Sequence, residues 1–456
     1  MTFLSTTWVA KALGQTPPSD ESRFDQITSD TREIKPGALF VALVGENTDG
    51  HEHVEKARAS GAKAIIHRRE FEPPKDLDSF AVEDTLQAWR MLSKAWRAEF
   101  RMPVVVVAGS AGKTTSKELL AAILRGHFKN VLQTQSSQNG FQGVPSTLLR
   151  LNETVDAAVV EVGIDDKGAM IQHLDLVQAD AGLLTSIGPE HLEKLIDLDT
   201  VEEEEGLLFQ SLANRQGILA VNLDDERVAR QGARYAGGKV FTYSLQYAAT
   251  VRGKLEVRGE SQWLHVEGIA PQTITFAVPL EGSHNALNLL GAITLAHALG
   301  VSAPEMLTGL DSFTPPPGRS EVHHWNGIKV IADTYNANPT SVVAGLETLF
   351  AGKLAGETWL CLGDMLEMGA LEESLHRGLA EPIQRCGVKH VFLYGPRMKW
   401  LAEELKAKSF AGSVEHYDSH EVMAARLKGS AKPGDRVLIK GSRGMRMENV
   451  WKALQV

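Results

Sequence analysis

Cysteine and long apolar runs are scarce in this sequence. Cys361 and Cys386 are the only cysteines among 456 residues, which excludes a disulfide framework and a cysteine-based zinc site and favours a reducing, cytoplasmic location. No window approaches the ~18 apolar residues that span a bilayer. The N-terminus lacks a basic stretch followed by a long apolar run, so the sequence predicts neither a signal peptide nor membrane insertion.

Positive charge is also in deficit. The formal net charge is -10 at pH 7, whereas a general nucleic-acid binder usually has a basic surface. We therefore expect no nucleic-acid partner. The length predicts about three domains, and a monomer is the default expectation.

The most informative stretch lies near residue 110. Four valines at 104–107 predict a strand buried on both faces. A glycine-rich turn and a helical pattern follow, an arrangement in which loop amides, the helix N-terminus and a lysine hold nucleotide phosphates. The turn comprises Gly109, Ser110, Ala111, Gly112, Lys113, Thr114 and Thr115. The usual phosphate-loop pattern has a further glycine where Val107 stands, and a plain strand-to-helix turn is the alternative interpretation.

Polar side chains follow further predicted strands. Glu161 comes after strand 157–160, and His191 closely follows strand 181–187. Ligands gather at the carboxyl ends of parallel strands, so we expect both to lie near Lys113 and Thr114. Glu161 suits Mg²⁺, which prefers oxygen ligands, whereas a histidine after a strand is as compatible with a structural role.

Three other features are each open to a plain structural interpretation. Asn285 and Asn288, at the start of a helix, could read adenine or cap the helix. The acidic run 202–205 is interpreted by default as a solvated helix face. Ser29, Thr31, Arg32 and the His51 turn are either ligand contacts or ordinary surface polarity.

The chain divides into residues 1–97, 98–313 and 314–456. The first part reads as a small α/β unit and the second as a parallel-sheet unit containing the phosphate loop. A proline-rich linker at 314–318 precedes Arg319, which either reaches a phosphate or is a surface charge. The third part reads as a doubly wound α/β domain with strands at 329–332, 358–362, 391–394 and 437–439. The sequence thus predicts the α/β class with three domains: small N-terminal, central P-loop ATPase-like and C-terminal Rossmann-like.

With these residues in order, the chain resembles the Mur ligases over nearly its whole length. The motifs that carry the resemblance are Ser29-Asp30-Thr31-Arg32, Asp49-Gly50-His51, Gly109 to Thr115, Asn139 with Gly143-Val144-Pro145, Glu161-Val162-Gly163, Gly188-Pro189-Glu190-His191, His284-Asn285, Gly318-Arg319, Asp333 with Tyr335-Asn336-Ala337-Asn338-Pro339, Gly363-Asp364-Met365 and Lys440-Gly441-Ser442-Arg443-Gly444. Three stretches, beginning at Tyr335, Gly363 and Lys440, look specific to the branch that adds D-Ala-D-Ala.

The resemblance implies an ATP-dependent amide ligase of peptidoglycan synthesis. ATP would phosphorylate the terminal carboxylate of a UDP-N-acetylmuramoyl tripeptide, and the amine of D-Ala-D-Ala would attack the acyl phosphate. The first domain would hold the UDP-muramoyl peptide, the central one ATP and Mg²⁺, and the third the dipeptide.

The resemblance also implies roles for individual residues. Lys113 and Arg319 would neutralise phosphate charge, and Thr114, Glu161 and His191 would hold magnesium. Adenosine would be bound by Asn285, Asn288, Asp333 and Tyr335, whereas the substrates would be bound by Ser29, Asp30, Thr31, Arg32, Asp49, Gly50, His51, Asn139, Asn336, Ser442 and Arg443.

The sequence departs from the family pattern at three places. Many Mur ligases carry a carbamylated lysine where Glu205 stands, and we hypothesise that Glu205 supplies the same anionic group; a misplaced alignment or an impaired site is the alternative. Ser137-Gln138-Asn139-Gly140 replaces the usual Asn-x-Asn-Asn cluster, which leaves only Asn139 to be carried over. Ala332 stands where an additional aspartate is common.

Two alternatives to this ligase remain open. One is a related ligase with another amino substrate, of the folylpolyglutamate or cyanophycin type, against which the motifs at 29–32 and 49–51 argue. The other is a nucleotide-binding scaffold or pseudoenzyme, which only Glu205 favours.

Overall fold

The structure, a computed structural model, describes residues 4–45, 48–352 and 355–456. Its strands form three sheets, of four, nine and six strands in chain order. The predicted α/β class is therefore confirmed. Residues 1–3, part of the segment for which no signal peptide is predicted, lie outside the described residues.

The first sheet is small and wholly parallel, in the order β1-β2-β3-β4. Its elements are α1 (Thr6–Ala12), β1 (Ile27–Thr28), β2 (Leu39–Val41), α2 (Val54–Ala59), β3 (Ala64–Arg68), β4 (Asp78–Val82) and α3 (Thr85–Arg97). Strand β2 ends at Val41, and the short 3₁₀ helix Gly50–His53 lies between it and α2.

Helix α3 joins the first sheet to the second. Asp84 starts it by accepting hydrogen bonds from the amides of Leu86 and Gln87, as an N-cap does. Its buried face carries two tryptophans whose indole N–H groups donate to carbonyls of the second unit, Trp89 to Gln142 and Trp96 to Leu151. Buried indole donors are thereby satisfied, and the two units share one apolar core.

The second sheet carries the phosphate loop. Its order is β13-β12-β11-β10-β9-β8-β5-β7-β6, and it is parallel from β6 to β11. Its strands are β5 (Val104–Ala108), β6 (Val131–Gln133), β7 (Ala157–Glu161), β8 (Ala181–Leu184), β9 (Ile218–Asn222), β10 (Lys239–Ser244), β11 (Val251–Arg258), β12 (Ser261–Glu267) and β13 (Ile274–Ala277). Its helices are α4 (Lys113–Arg125), α5 (Gly143–Leu148), α6 (Ala169–Val177), α7 (Leu192–Leu195), α8 (Leu198–Asn214), α9 (Glu226–Arg234), α10 (Ser283–Ala298) and α11 (Ala303–Leu310).

Strand β5 is buried along its whole length, as the four valines predict. It lies between β7 and β8, so their carboxyl ends meet where the strand order reverses. Ligands of open parallel sheets bind at such points. By contrast, the sequence pattern predicts none of the antiparallel strands β11 to β13. Their outer faces are exposed and partly charged, so no long apolar run marks them.

The third sheet has the order β14-β15-β19-β16-β17-β18, with only β14 antiparallel. Its strands are β14 (Glu321–Trp325), β15 (Ile328–Asp333), β16 (Thr358–Gly363), β17 (His390–Tyr394), β18 (Ser413–Tyr417) and β19 (Arg436–Lys440). Its helices are α12 (Pro339–Leu349), α13 (Glu372–Gly378), α14 (Ala380–Cys386), α15 (Met398–Ala407), α16 (His420–Ser430) and α17 (Glu448–Gln455). The four strands predicted here are all present. Within the described parts of the chain, none of the helices combines the length and apolar character needed to cross a bilayer.

Candidate active site

A cavity of about 420 Å³ lies between the second and third sheets. The carboxyl ends of β5, β7 and β8 form one wall, and the residues after β15 form the other. The predicted residues that line it are Ser110, Ala111, Gly112, Lys113, Thr114, Thr115, Asn139, Glu161, His191, Asn285, Asn288, Arg319, Asp333, Tyr335 and Asn336. The fold thus brings together residues that the sequence places more than two hundred positions apart.

The glycine loop leads directly into helix α4. Gly112 has φ +84°, and a Cβ there would lie 2.5 Å from Oδ1 of Asn288, so both backbone conformation and space require glycine. The amides of Gly109, Ser110 and Ala111 donate to protein acceptors, contrary to the expectation that they point at an anion. The first amides of α4 have no partner within the helix, and no side chain caps it. The helix N-terminus is therefore the part of this motif suited to phosphate.

Lys113 is surrounded by carboxylates. Its Nζ lies 3.0 Å from Oε2 of Glu190. Burial favours the neutral amine, but Glu190 and Glu205 outweigh it, so the pKa of Lys113 is raised. The ammonium group is therefore charged at neutral pH and available to an anion in the cavity.

Glu205 is fully buried beside the loop, although the acidic run was expected to be solvated. Its Oε1 accepts the amide of Gly109 at 3.1 Å, and its Oε2 has no hydrogen-bond donor among the described residues. Burial and then the negative charge of Glu190 raise its pKa well above the usual range. Because Glu202 and Glu204 are buried as well, the solvated-face prediction is wrong for all but Glu203: α8 packs its acidic side against α6 and α9.

Glu161 and Thr114 form a second polar group. The Thr114 hydroxyl donates to Glu161 Oε1 at 2.9 Å, and Nδ2 of Asn139 donates to the same oxygen at 2.8 Å. The other oxygen, Oε2, is buried and has no hydrogen-bond partner in the part of the chain that the structure describes; Nζ of Lys117 lies 3.7 Å away. A hydroxyl, an amide-supported carboxylate and a free carboxylate oxygen are hard ligands that fit Mg²⁺. His191, a softer ligand, lines the same cavity.

Ser137 is a residue that the sequence interpretation missed. Its hydroxyl lies 3.0 Å from Oγ1 of Thr114 and accepts a hydrogen bond of 3.0 Å from Nη2 of Arg319. Arg319 also stacks over the Tyr335 ring, 4.1 Å from its centroid. Ser137 thus connects the phosphate loop to the residue after the proline linker. The sequence did contain a signal for Ser137. It lies in the cluster 137–140, which departs from the family pattern but retains Asn139, so the neighbours of Asn139 were candidates for the site.

His191 contacts the third sheet as well as the cavity. Its Nδ1 lies 2.5 Å from Oε2 of Glu367, a residue of the turn after β16. Burial opposes the imidazolium form, but the bond to Glu367 and the charge of Glu190 raise the pKa of His191. The same bond lowers the pKa of Glu367.

The far wall of the cavity is also polar. Asp333 pairs with the buried Nζ of Lys440, and this pair lowers the pKa of Asp333 against the effect of burial. Nδ2 of Asn285 donates to the carbonyl of Glu281, and Asn288 donates weakly to Asn285. No side chain caps the N-terminus of α10, where Gly282 is the N-cap residue, so the capping interpretation is wrong. Both asparagines line the cavity, and contact with adenine stays a prediction.

The predicted substrate residues lie outside this cavity, apart from Asn139 and Asn336. Ser29 to Arg32 follow β1 and Asp49 to His51 follow β2, at the same edge of the first sheet. Arg32 pairs with Asp30 and lowers its pKa. The hydroxyl of Ser442 is occupied by the Leu366 amide and the Ala337 carbonyl.

Arg443 lines a neighbouring cavity of about 530 Å³. Thr114, Ser137, Arg319 and Tyr335 line both cavities. The two spaces therefore adjoin at the phosphate loop.

The parallel sheets and the phosphate loop define a three-sheet α/β protein with a nucleotide-type site. Three family models match the chain: the Mur ligase family catalytic domain at residues 23–126, the Mur ligase middle domain at 107–296, and the Mur ligase glutamate ligase domain at 318–443. The UDP-N-acetylmuramoyl-tripeptide–D-alanyl-D-alanine ligase of Bacillus subtilis is 31% identical over 96% of this chain and 94% of its own length. The chain belongs to the Mur ligase family.

Two further similar proteins also match this chain over most of its length. The enzyme of that name from Synechocystis is 33% identical over 94% of this chain and 92% of its own length. The structure of MurF from Thermotoga maritima in complex with ADP has a TM-score of 0.83 at 24% identity, covering 94% of this chain and 97% of that one. The fold and its three-part layout are thereby confirmed.

Proposed function

We propose that this chain is an ATP-dependent ligase that joins D-Ala-D-Ala to a UDP-N-acetylmuramoyl tripeptide in peptidoglycan synthesis. Its relatives from B. subtilis and Synechocystis carry that name. The observation that carries the proposal is the convergence of Lys113, Thr114, Glu161 and Arg319 on one cavity. These groups belong to different sheets and meet only in the folded chain.

The chemistry requires a better leaving group than a carboxylate offers. A carboxylate oxygen of the tripeptide attacks the γ-phosphorus, ADP leaves, and an acyl phosphate forms. The dipeptide amine then attacks the acyl carbon, and the C–O bond to phosphate breaks. Both steps need neutralisation of charge on the transferred group, which Lys113 supplies from the second sheet and Arg319 from the third.

Magnesium fits the oxygen donors of Thr114 and Glu161, with His191 beside them. When bound, the ion would neutralise phosphate charge and orient the terminal phosphate. Asn139 holds Glu161 in place through its 2.8 Å hydrogen bond, and Ser137 holds Arg319 toward Thr114. These contacts preorganise the site before substrates arrive.

The substrate contacts proposed here are those that membership of the Mur ligase family implies. The turns at 29–32 and 49–51 would hold the uridine end, and the cavity lined by Arg443 adjoins the phosphate loop where the dipeptide amine must arrive. Asn285, Asn288, Asp333 and Tyr335 would contact the adenosine. A monomeric state and a cytoplasmic location stay predictions.

Product analysis tests the proposal. The protein, ATP, Mg²⁺ and UDP-N-acetylmuramoyl tripeptide are incubated with and without D-Ala-D-Ala, and phosphate release and product mass are measured. We expect dipeptide-dependent phosphate release and a product heavier by the dipeptide less water. Lys113→Ala should lower turnover by about 10² to 10³. Nucleotide binding without turnover would favour the scaffold, and turnover only with another amine would favour a related ligase.

A further inference from the structure

A contact across the interface between the second and third sheets fixes the imidazole of His191. Nδ1 of His191 and Oε2 of Glu367 are 2.5 Å apart. The main chains of the two segments are also in contact, because the amide of Glu193 donates to the carbonyl of Glu367 at 3.4 Å. The turn after β8 and the turn after β16 therefore meet at both side-chain and main-chain level.

Both residues adopt a backbone conformation that side chains disfavour. His191 has φ +48° and Glu367 has φ +64°. Left-handed backbone at residues other than glycine persists only where surrounding contacts hold it, and it clusters at functional sites. Two such residues in contact across an interface indicate that the surrounding structure holds this contact in one particular geometry.

The direction of this hydrogen bond determines which ring nitrogen of His191 remains free to bind another group. A carboxylate only accepts, so Nδ1 of His191 must carry the proton. In the neutral ring the lone pair is then on Nε2. Histidines that bind metal ions typically donate their other N–H to a carboxylate in this way, and that partner fixes the tautomer and ring orientation.

We propose that Glu367 is a positioning residue that prepares His191 as a ligand for the divalent cation accompanying the nucleotide. Because Glu367 belongs to the third sheet, the cation site is complete only while the third sheet is docked on the second. This inference rests on the proposed function. It assigns to docking a role beyond the delivery of Arg319: the interface orients a side chain of the opposite unit.

Manganese binding tests the inference without relying on turnover. Mn²⁺ affinity in the presence of ADP is measured by electron paramagnetic resonance for the unaltered protein, Glu367→Ala, Glu367→Gln, His191→Ala and the double variant Glu367→Ala/His191→Ala. We expect Glu367→Ala to weaken Mn²⁺ binding by at least about tenfold. Glu367→Gln should retain most of the affinity, because its amide oxygen still accepts from Nδ1.

The double variant separates positioning from a general effect on the interface. If Glu367 acts through the imidazole, Glu367→Ala causes no further loss in the His191→Ala background. Glu373→Gln is the matched control, since Glu373 is as exposed as Glu367 (side-chain exposures of 54% and 55%) and pairs with Arg377 on its own helix. It should bind Mn²⁺ like the unaltered protein.

Three results would overturn the inference. They are unchanged affinity in Glu367→Ala, the same loss in the presence and absence of His191, and tighter binding, which would make Glu367 a competitor of the cation. Any of these alongside dipeptide-dependent phosphate release leaves the proposed function standing. No Mn²⁺–ADP binding by the unaltered protein would overturn both.

Discussion

At the scale of single residues, the site is organised by buried carboxylates rather than by excess positive charge. Within residues 4–45, 48–352 and 355–456, Glu161, Glu190 and Glu205 each have one buried oxygen without a hydrogen-bond partner. Leaving such atoms unpaired is costly, so the arrangement is suited to cations. Lys113 lies among them, and a magnesium ion fits the same environment.

Glu205 gives the sharpest test of this electrostatic arrangement. In Glu205→Lys, a second ammonium group would face Lys113, so we expect turnover to fall by at least about tenfold. Added bicarbonate should restore part of it, because the lysine can then form a carbamate that resembles the lost carboxylate. Turnover is measured against bicarbonate concentration, with Glu205→Gln as the neutral control that keeps an acceptor for Gly109. Unchanged turnover and magnesium dependence in Glu205→Ala would contradict the assigned role.

His173 predicts a pH dependence of stability outside the active site. It is fully buried, and neither ring nitrogen has a hydrogen-bond partner among the described residues. Burial and then Arg90 lower its pKa to about 4, below the ~6.5 of an unfolded chain. The unfolded state therefore binds more protons between these values, so the free energy of unfolding falls as pH drops from about 6.5 toward 4.

Comparison with His173→Met isolates that contribution. Between pH 7 and pH 5 the unaltered protein should lose about 2 kcal/mol of unfolding free energy relative to the variant. Urea denaturation at both pH values measures the difference. A difference that does not change with pH would show that His173 does not titrate in this way.

At the scale of elements, the sequence predicts best what short segments determine. Strand β5, the glycine turn and helix α4 follow one another, so the local pattern suffices to identify them. The buried acidic face of α8 is not predictable in that way, because its burial depends on α6 and α9. The same holds for Ser137, whose partners Thr114 and Arg319 come from distant parts of the chain.

The packing of α4 against α11 yields a prediction at this scale. A Cβ at Gly126, the end of α4, would lie 1.9 Å from the carbonyl oxygen of Glu305. We expect Gly126→Ala to lower the free energy of unfolding by about 2 kcal/mol, because backbone must shift to relieve the clash. The urea midpoint is the measurement. Gly378→Ala, with nothing within 4 Å of the added Cβ in helix α13, should be neutral or stabilising.

At the scale of the whole molecule, we expect function to depend on the interface between the second and third sheets. Besides Arg319 with Ser137 and His191 with Glu367, Nζ of the buried Lys329 lies 2.5 Å from Oε1 of Glu281. Lys329 is in β15, and Glu281 precedes α10. These contacts hold the two walls of the cavity together, so closure and catalysis should be linked.

Lys329→Met tests that link without altering a residue that lines the cavity. Removing the ammonium group leaves the Glu281 carboxylate without this partner, which destabilises the interface between the second and third sheets. We expect a larger radius of gyration by small-angle X-ray scattering and lower turnover, with substrates partly restoring the compact form. The exposed Lys399→Met serves as control. An unchanged radius and unchanged turnover would mean that this ion pair does not hold the walls together.

We expect the tripeptide carboxylate to be activated as an acyl phosphate in this cavity. The most direct measurement is the reaction of tripeptide labelled with ¹⁸O in its terminal carboxylate, followed by mass analysis of the released phosphate. We expect one ¹⁸O in each phosphate, because the carboxylate oxygen that attacks the γ-phosphorus leaves with it. The other labelled oxygen stays in the amide product. Unlabelled phosphate alongside amide formation would contradict the account.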